Sequence, residues 1–271
     1  MHAIKRADHI MAMLEQNKVV MVADLSREMG VTEETVRKDL EKLEKQERLC
    51  RVHGGAYLNE GYGTETPVRV RSKILKEEKA LIGRRSLELI REKDSIFLDC
   101  STTALHMAKL LASWDKKMTL MTNSLGVAME VMSNPSIRLV LFGGELNRDR
   151  VAFEGQSVLD EMKDTFIQKA FISSAGVSLE AGITDSTREE AEIRRQVIRQ
   201  AKECILMADS TKIGRNGLYV VGGLEDIDTL VLDCSLEDID QRFARDVRGR
   251  NVSVMDGKER KVKHAQDRKG G

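Results

Sequence analysis

The sequence predicts an α/β protein in two parts, an N-terminal winged helix-turn-helix followed by a mostly parallel α/β domain. Three observations predict it. Helical periodicity fills the first 46 residues and breaks only at short turns. A Gly-Gly turn then joins two strand-like runs. From Ile74 onward, strands alternate with helices over about 170 residues, the pattern of a parallel sheet with crossover helices.

Ile4, Ala7, Met11 and Leu14 recur at helical spacing, with Ile10 beside them, and make one apolar face. A second helix from about Val22 to Met29 buries Val22, Leu25 and Met29, and Gly30 ends it. Thr32 caps a third helix, whose first turn carries Glu33 and Glu34 against the helix dipole. Its buried stripe is Val36, Leu40 and Leu43. Only Gly30, Val31 and Thr32 separate helices two and three, the helix-turn-helix layout. Residues 49–52 and 56–58 then read as a hairpin about His53-Gly54-Gly55, which completes a winged head over residues 1–58. Residues 59–73 shift to Gly, Tyr, Thr and Glu and read as a linker. In residues 74–240, helices near 76–91, 102–111, 125–132 and 156–165 alternate with strands near 95–99, 119–122, 137–142 and 169–172. Ser186 to Glu189 reads as a capping box for a helix reaching about Lys202, with strands at 204–208 and 229–232 after it. Residues 241–271 hold ten Lys and Arg against four Asp and Glu, a basic segment that reads as a solvated terminus.

Composition narrows the classes. Forty-four Lys and Arg balance 44 Asp and Glu in 271 residues, and 41% of the chain is hydrophobic, ordinary for a folded soluble protein. No apolar run approaches the roughly 18–20 residues a bilayer span needs. The opening MHAIKRADHI lacks the apolar stretch of a signal peptide, so a cytoplasmic location without a membrane partner is expected. Cys50, Cys100, Cys204 and Cys234 are dispersed, without a CxxC pair, so neither a metal site nor a disulfide framework is expected. No GxGxxG of the dinucleotide type, Walker A, HExxH or GxSxG string occurs, and no cofactor is expected.

Ligands of parallel sheets bind beyond the carboxyl ends of the strands, so the strand exits are where chemistry should sit. The first, Asp99-Cys100-Ser101-Thr102-Thr103, opens a helix with hydroxyls and free N–H groups, a setting suited to phosphate. Thr122-Asn123-Ser124 is also polar and also precedes a helix. Phe142-Gly143-Gly144 and Ser173-Ser174-Ala175-Gly176 let backbone approach a ligand. Asp209-Ser210-Thr211-Lys212 adds a cation just after a strand. Each string has an ordinary alternative, a helix cap, a tight turn or a surface lysine. Together the five exits favour a small anionic ligand. Asp99, Asp185, Glu189 and Lys212 also leave sugar-phosphate isomerase chemistry open.

On the head, burying Val36, Leu40 and Leu43 turns Arg37, Lys38 and Glu41 outward, with Thr35 at the flank, placed to meet base edges or phosphates of double-stranded DNA. Arg48, Arg51 and His53 put donors on the adjacent hairpin. With Thr32 these make the expected DNA-binding set of Thr32, Thr35, Arg37, Lys38, Arg48, Arg51 and His53. Residues 1–58 hold ten basic and ten acidic side chains, so affinity is expected to rest on two heads reading paired half-sites in a homo-oligomer.

Several strings together resemble the DeoR family of bacterial transcription regulators. They are Asp24-Leu25, Gly30-Val31-Thr32, Thr35-Val36-Arg37-Lys38-Asp39-Leu40 and Arg51-Val52-His53-Gly54-Gly55-Ala56, followed by Glu78-Lys79, Glu189-Glu190-Ala191 and the exits above. The resemblance implies a repressor of sugar or polyol catabolic genes. Its body would resemble ribose-5-phosphate isomerase and act as a sensor, with a phosphorylated sugar as effector. It places phosphate contacts at Ser101, Thr102 and Thr103 and ligand contacts near Asn123, Gly143, Gly144 and Lys212; with Asp99 and Gly176 of the strand exits these make the expected effector-binding set. The chain departs from the family at Ser101, where glycine is usual in the phosphate loop, and at Glu47, Cys50 and Lys38 in the head. Asp39 is expected to form an internal salt bridge rather than face DNA, whose phosphates would repel it.

Overall fold

The computed structural model describes residues 2–17, 19–46, 48–52, 54–58 and 68–257. The head runs α1 (Ala3–Asn17), β1 (Val19–Met21), α2 (Val22–Met29), α3 (Glu33–Lys45), β2 (Cys50–Val52) and β3 (Gly55–Tyr57). Ile10 and Leu14 of α1, Leu25 and Met29 of α2, and Val36, Leu40 and Leu43 of α3 close one small core. Gly30 makes the sharp turn between α2 and α3 in the left-handed region, at φ 64° and ψ 36°. The strand β1 has no counterpart in the sequence reading, since three residues are too few to show alternation. It pairs antiparallel with β3, which also pairs antiparallel with β2, so the wing has three strands with β3 central.

A short helix α4 (Val68–Arg71) connects head to body. Just beyond it, Ile74 is buried against Val19 and Tyr57 of the wing, with Cys50 and Leu75 packed alongside. The expected linker therefore ends in an ordered connector, and its residues 59–67 lie outside the described residues.

The body continues with α5 (Lys76–Leu87), β4 (Ser95–Leu98), α6 (Thr102–Leu111), β5 (Met118–Thr122), α7 (Leu125–Val131) and β6 (Ile137–Leu141). A small hairpin of β7 (Glu145–Asn147) and β8 (Ala152–Glu154) leads to α8 (Gln156–Met162) and β9 (Ile167–Ile172). Then come β10 (Gly176–Ser178), β11 (Gly182–Asp185), α9 (Arg188–Gln200), β12 (Ala201–Ala208), β13 (Tyr219–Gly222) and β14 (Thr229–Leu232). The described chain closes with α10 (Leu236–Ile239), α11 (Gln241–Gly249) and β15 (Ser253–Met255).

Seven strands form one sheet in the order β15-β14-β12-β9-β4-β5-β6, and every neighbouring pair is parallel. Chain order runs outward in one direction from β4 through β5 to β6, and in the other from β9 to β15. The switch point lies between β4 and β9, where the helices leave for opposite faces and a crevice opens at the carboxyl ends. Both faces of the sheet are covered, so its strands read as continuous apolar runs. Phe97 of β4 packs with residues of α8, α9 and α11 on one face, while Ile96 and Leu98 pack with α5, α6 and α7 on the other.

Two sequence expectations change. The helix expected to start from a capping box at Ser186 starts one residue later, with Thr187 as its N-cap and no side-chain cap bond, because the Thr187 hydroxyl lies 3.5 Å from Glu190 Oε2 instead. The segment expected to be a basic terminus from residue 241 opens inside the body, since Phe243, Ala244 and Val247 of α11 are buried and β15 is an edge strand of the main sheet. The rest of it, residues 258–271, lies outside the described residues.

Candidate functional site

On the head, the Thr32 hydroxyl accepts from Thr35 N at 3.3 Å and caps α3, and the two hydroxyls lie 2.9 Å apart. The exposed face of α3 carries Arg37 and Lys38, each paired with the glutamate one turn earlier: Arg37–Glu33 at 2.5 Å and Lys38–Glu34 at 3.4 Å. Arg48 and Arg51 are exposed beside it, and Arg51 N donates to Glu44 Oε1 of α3 at 2.9 Å. Asp39 faces inward. Its carboxylate accepts two bonds from Arg6, at 2.6 and 3.1 Å, and fixes the rotation of α3 against α1. Thr32, Thr35, Arg37, Lys38, Arg48 and Arg51 thus border α3 and the wing, while His53 lies outside the described residues.

At the switch point the body has a cavity of about 420 Å³, lined by Ser101, Thr102 and Thr103 beyond β4, Ser173 and Ser174 beyond β9, and Thr211 and Lys212 beyond β12. Ser101 caps α6 by accepting from Ala104 N at 3.0 Å. A glycine in its place would leave that N–H without its cap. Among the described residues the Thr102 and Thr103 hydroxyls have no partner, and the buried Ser174 hydroxyl has none either. Backbone N–H groups at the start of α6 face the same space, so the helix end attracts negative charge. Six cationic side chains line the cavity (Arg51, Arg71, Lys79, Arg194, Lys212 and Arg215) against three carboxylates, Asp185, Glu190 and Asp209.

Beneath the cavity sits a buried charge cluster. The Asp99 carboxylate accepts from Ser101 N at 3.0 Å, Ser173 N at 2.8 Å and Arg194 Nε at 2.9 Å. Arg194 also bonds Asp185 and stands 3.6 Å from Glu190. Burial pushes the Asp185 carboxyl up to about 6, against the pull of Arg194, and the charges of Glu190 and Asp99 push the same way. Burial would raise Glu190 too, but Arg194, Arg150 and Arg71 outweigh it and hold that carboxyl below its ordinary value. Asp99 therefore pins the β4 and β9 exit loops to each other and to α9, and its oxygens are already occupied by donors. Lys79, at the start of α5, donates to the carbonyls of Arg71 and Ile74 at 2.6 and 2.7 Å, and burial lowers its ammonium to about 8.

Of the sequence-derived effector residues, Ser101, Thr102, Thr103 and Lys212 meet at the cavity, and the others stand behind or beside it. Asn123 donates to the Phe153 carbonyl at 2.9 Å and holds β8. Gly143 N donates to Glu161 at 3.0 Å, and Gly144 is packed under Glu154 and Val158. A Cβ on Gly176 would lie 2.3 Å from the Arg215 carbonyl oxygen, so this glycine admits the loop that brings Arg215 to the cavity. Arg71, Lys79, Glu190, Arg194 and Arg215 were not singled out as binding residues from sequence, and Asp185 only as a candidate acid–base group. The signal for Glu190 and Arg194 was an i,i+4 charge pair on the same side of α9 as Ala191 and Val197.

A winged helix-turn-helix joined to a doubly wound body with a cation-rich cavity at its switch point defines a DNA-binding regulator that carries a ligand-binding domain. Residues 6–61 match the DeoR-like helix-turn-helix domain and residues 75–234 the DeoR C terminal sensor domain. The chain belongs to the DeoR family of transcriptional regulators. It is 34% identical over 233 residues to the HTH-type transcriptional repressor GlcR of Bacillus subtilis, covering 86% of this chain and 89% of that one. It is 27% identical over 233 residues to the glycerol-3-phosphate regulon repressor of Escherichia coli, covering 86% and 92%. Among solved structures it is similar to ribose 5-phosphate isomerase A from Methanocaldococcus jannaschii, with a TM-score of 0.39 and 17% identity over 51% of this chain and 55% of that one.

Proposed function

We propose that this protein represses genes of sugar or polyol use, and that a phosphorylated sugar bound in the switch-point cavity controls its affinity for operator DNA. One observation carries the reading. The start of α6, the Thr102, Thr103 and Ser174 hydroxyls and the Lys212 ammonium all meet in a single cavity. Helix N–H groups and an ammonium suit a phosphate, and the surrounding hydroxyls suit a polyol. A volume of about 420 Å³ lies within the range of small-molecule sites. Control follows by linkage. A ligand that binds one arrangement of head and body better than another shifts the population able to hold paired half-sites, and operator DNA shifts ligand affinity by the same factor. Two heads on one operator make a homo-oligomer, dimer or larger, the working form.

The test is fluorescence anisotropy of DNA from upstream of the protein's own gene, at fixed salt, titrated with a panel of sugar phosphates and the matching free sugars. A shift in operator affinity with one sugar phosphate and none with its free sugar is the expected result. Specific operator binding that ignores the whole panel would sink the effector half of the proposal.

A further inference from the structure

The cavity wall is not made by the body alone. Arg51 of the wing strand β2 lines it, together with Arg71 of the connector and Ile74 and Leu75 beyond it. Apolar packing brings the wing there, since Ile74 is buried against Val19 and Tyr57. Arg51 is also placed to touch a DNA phosphate, being exposed on the wing beside the outward face of α3. Its guanidinium is held by a long ion pair to Glu44, 3.7 Å apart, with both side chains about two-fifths exposed. Such a pair contributes little and leaves the guanidinium free to turn. A guanidinium has five N–H donors in a fixed fork that fits a phosphate.

We propose that Arg51 is a ligand shared between effector and operator: its guanidinium closes over the anionic group of the bound effector at the cavity mouth, or over a DNA phosphate, but not both. The inference rests on the phosphorylated-ligand reading of the cavity and adds a residue of the head to that site. It also supplies the antagonism. An anion in the cavity draws the wing onto the body through Arg51 and removes a phosphate contact from the DNA face. Operator DNA in turn withdraws a cation from the effector.

The experiment uses the full chain, first without DNA. Calorimetric titration with inorganic phosphate, glycerol 3-phosphate and glucose 6-phosphate compares wild type with Arg51→Ala, Lys212→Ala and Arg27→Ala. Arg27 lies on α2, is exposed and does not line the cavity, so its variant controls for loss of one positive charge from the head. The expected result is roughly tenfold or more weakening in Arg51→Ala, the scale of one charge-assisted bond, and no change in Arg27→Ala. Binding that Lys212→Ala abolishes but Arg51→Ala leaves intact would overturn the shared ligand and spare the cavity. Failure of all three probes to bind wild type would overturn both. Anisotropy with operator DNA gives the second readout: saturating probe should lower operator affinity in wild type and change it much less in Arg51→Ala. An equal drop in the two proteins would overturn the shared use of Arg51.

Discussion

Buried charge ties the strand-exit loops of this body to α9. Arg194 is one guanidinium among Asp99, Asp185 and Glu190, all buried, and those carboxylates raise its pKa well above the ordinary value although burial opposes them. Removing it would leave Asp99 and Asp185 without their guanidinium, with Arg150 only on the Glu190 side, 3.9 Å away. Arg194→Met should therefore lose about 3–5 kcal/mol of stability, measured by urea unfolding at pH 7. A loss below 1 kcal/mol would mean that water or Arg150 replaces it. Legibility at this scale was uneven for a physical reason. Ser101, Thr102, Thr103 and Lys212 were readable because hydroxyls and a lysine at a strand exit announce themselves. Arg194 and Lys79 were not, because a charged residue within a helix looks like solvated surface until packing turns it inward. Asp39 was readable, since a carboxylate on a DNA-facing helix needs a cation of its own, and Arg6 supplies it.

The long elements were legible because burial on both faces or on one face imposes a period. Helices α1, α2, α3 and α6 and the strands of the main sheet other than β15 stand close to where apolar spacing put them. The three-residue strands β1, β7, β8 and β10 were not, since three residues are too few to show alternation, whether the partner is distant, as for β1, or the other arm of a tight hairpin, as for the rest. One of them matters to the cavity through its backbone. Strand β10 opens at Gly176, over which the Arg215 backbone passes. Gly176→Ala should push that loop outward and lower sugar-phosphate affinity severalfold, while the parallel sheet still folds. Calorimetry paired with a circular dichroism melt would check it. Unchanged affinity would show that the loop yields without moving Arg215.

At the scale of the whole molecule, Lys79 ties connector to body, with its ammonium on the Arg71 and Ile74 carbonyls and its side chain at the cavity. Burial lowers its pKa to about 8, below the ordinary lysine value. The charge is therefore present at pH 7 and mostly gone at pH 9. Sugar-phosphate affinity should fall across that window, because the phosphate is already a dianion and only the protein titrates. Stability should move the other way. The unfolded chain holds this proton to about pH 10.4, so the cost of the buried ammonium is carried below pH 8 and fades as pH rises. Lys79→Met should bind more weakly at pH 7 and lose the change in affinity between pH 7 and 9; an identical fall in the variant would assign the titration elsewhere.

The glutamates on α3 have a further consequence. Arg37, Lys38 and Lys45 each already hold a carboxylate one turn away. These glutamates act as resident counterions, so docking on DNA exchanges one anion for another and liberates few ions into solution. Log affinity should then fall with log salt less steeply than the roughly 0.9 per phosphate contact of an unpaired basic face. Random duplex offers such a head little, because non-specific attraction draws on the phosphates alone. A sequence whose base edges repay the broken pairs offers much more. A neutral reading head thus trades grip on bulk DNA for discrimination.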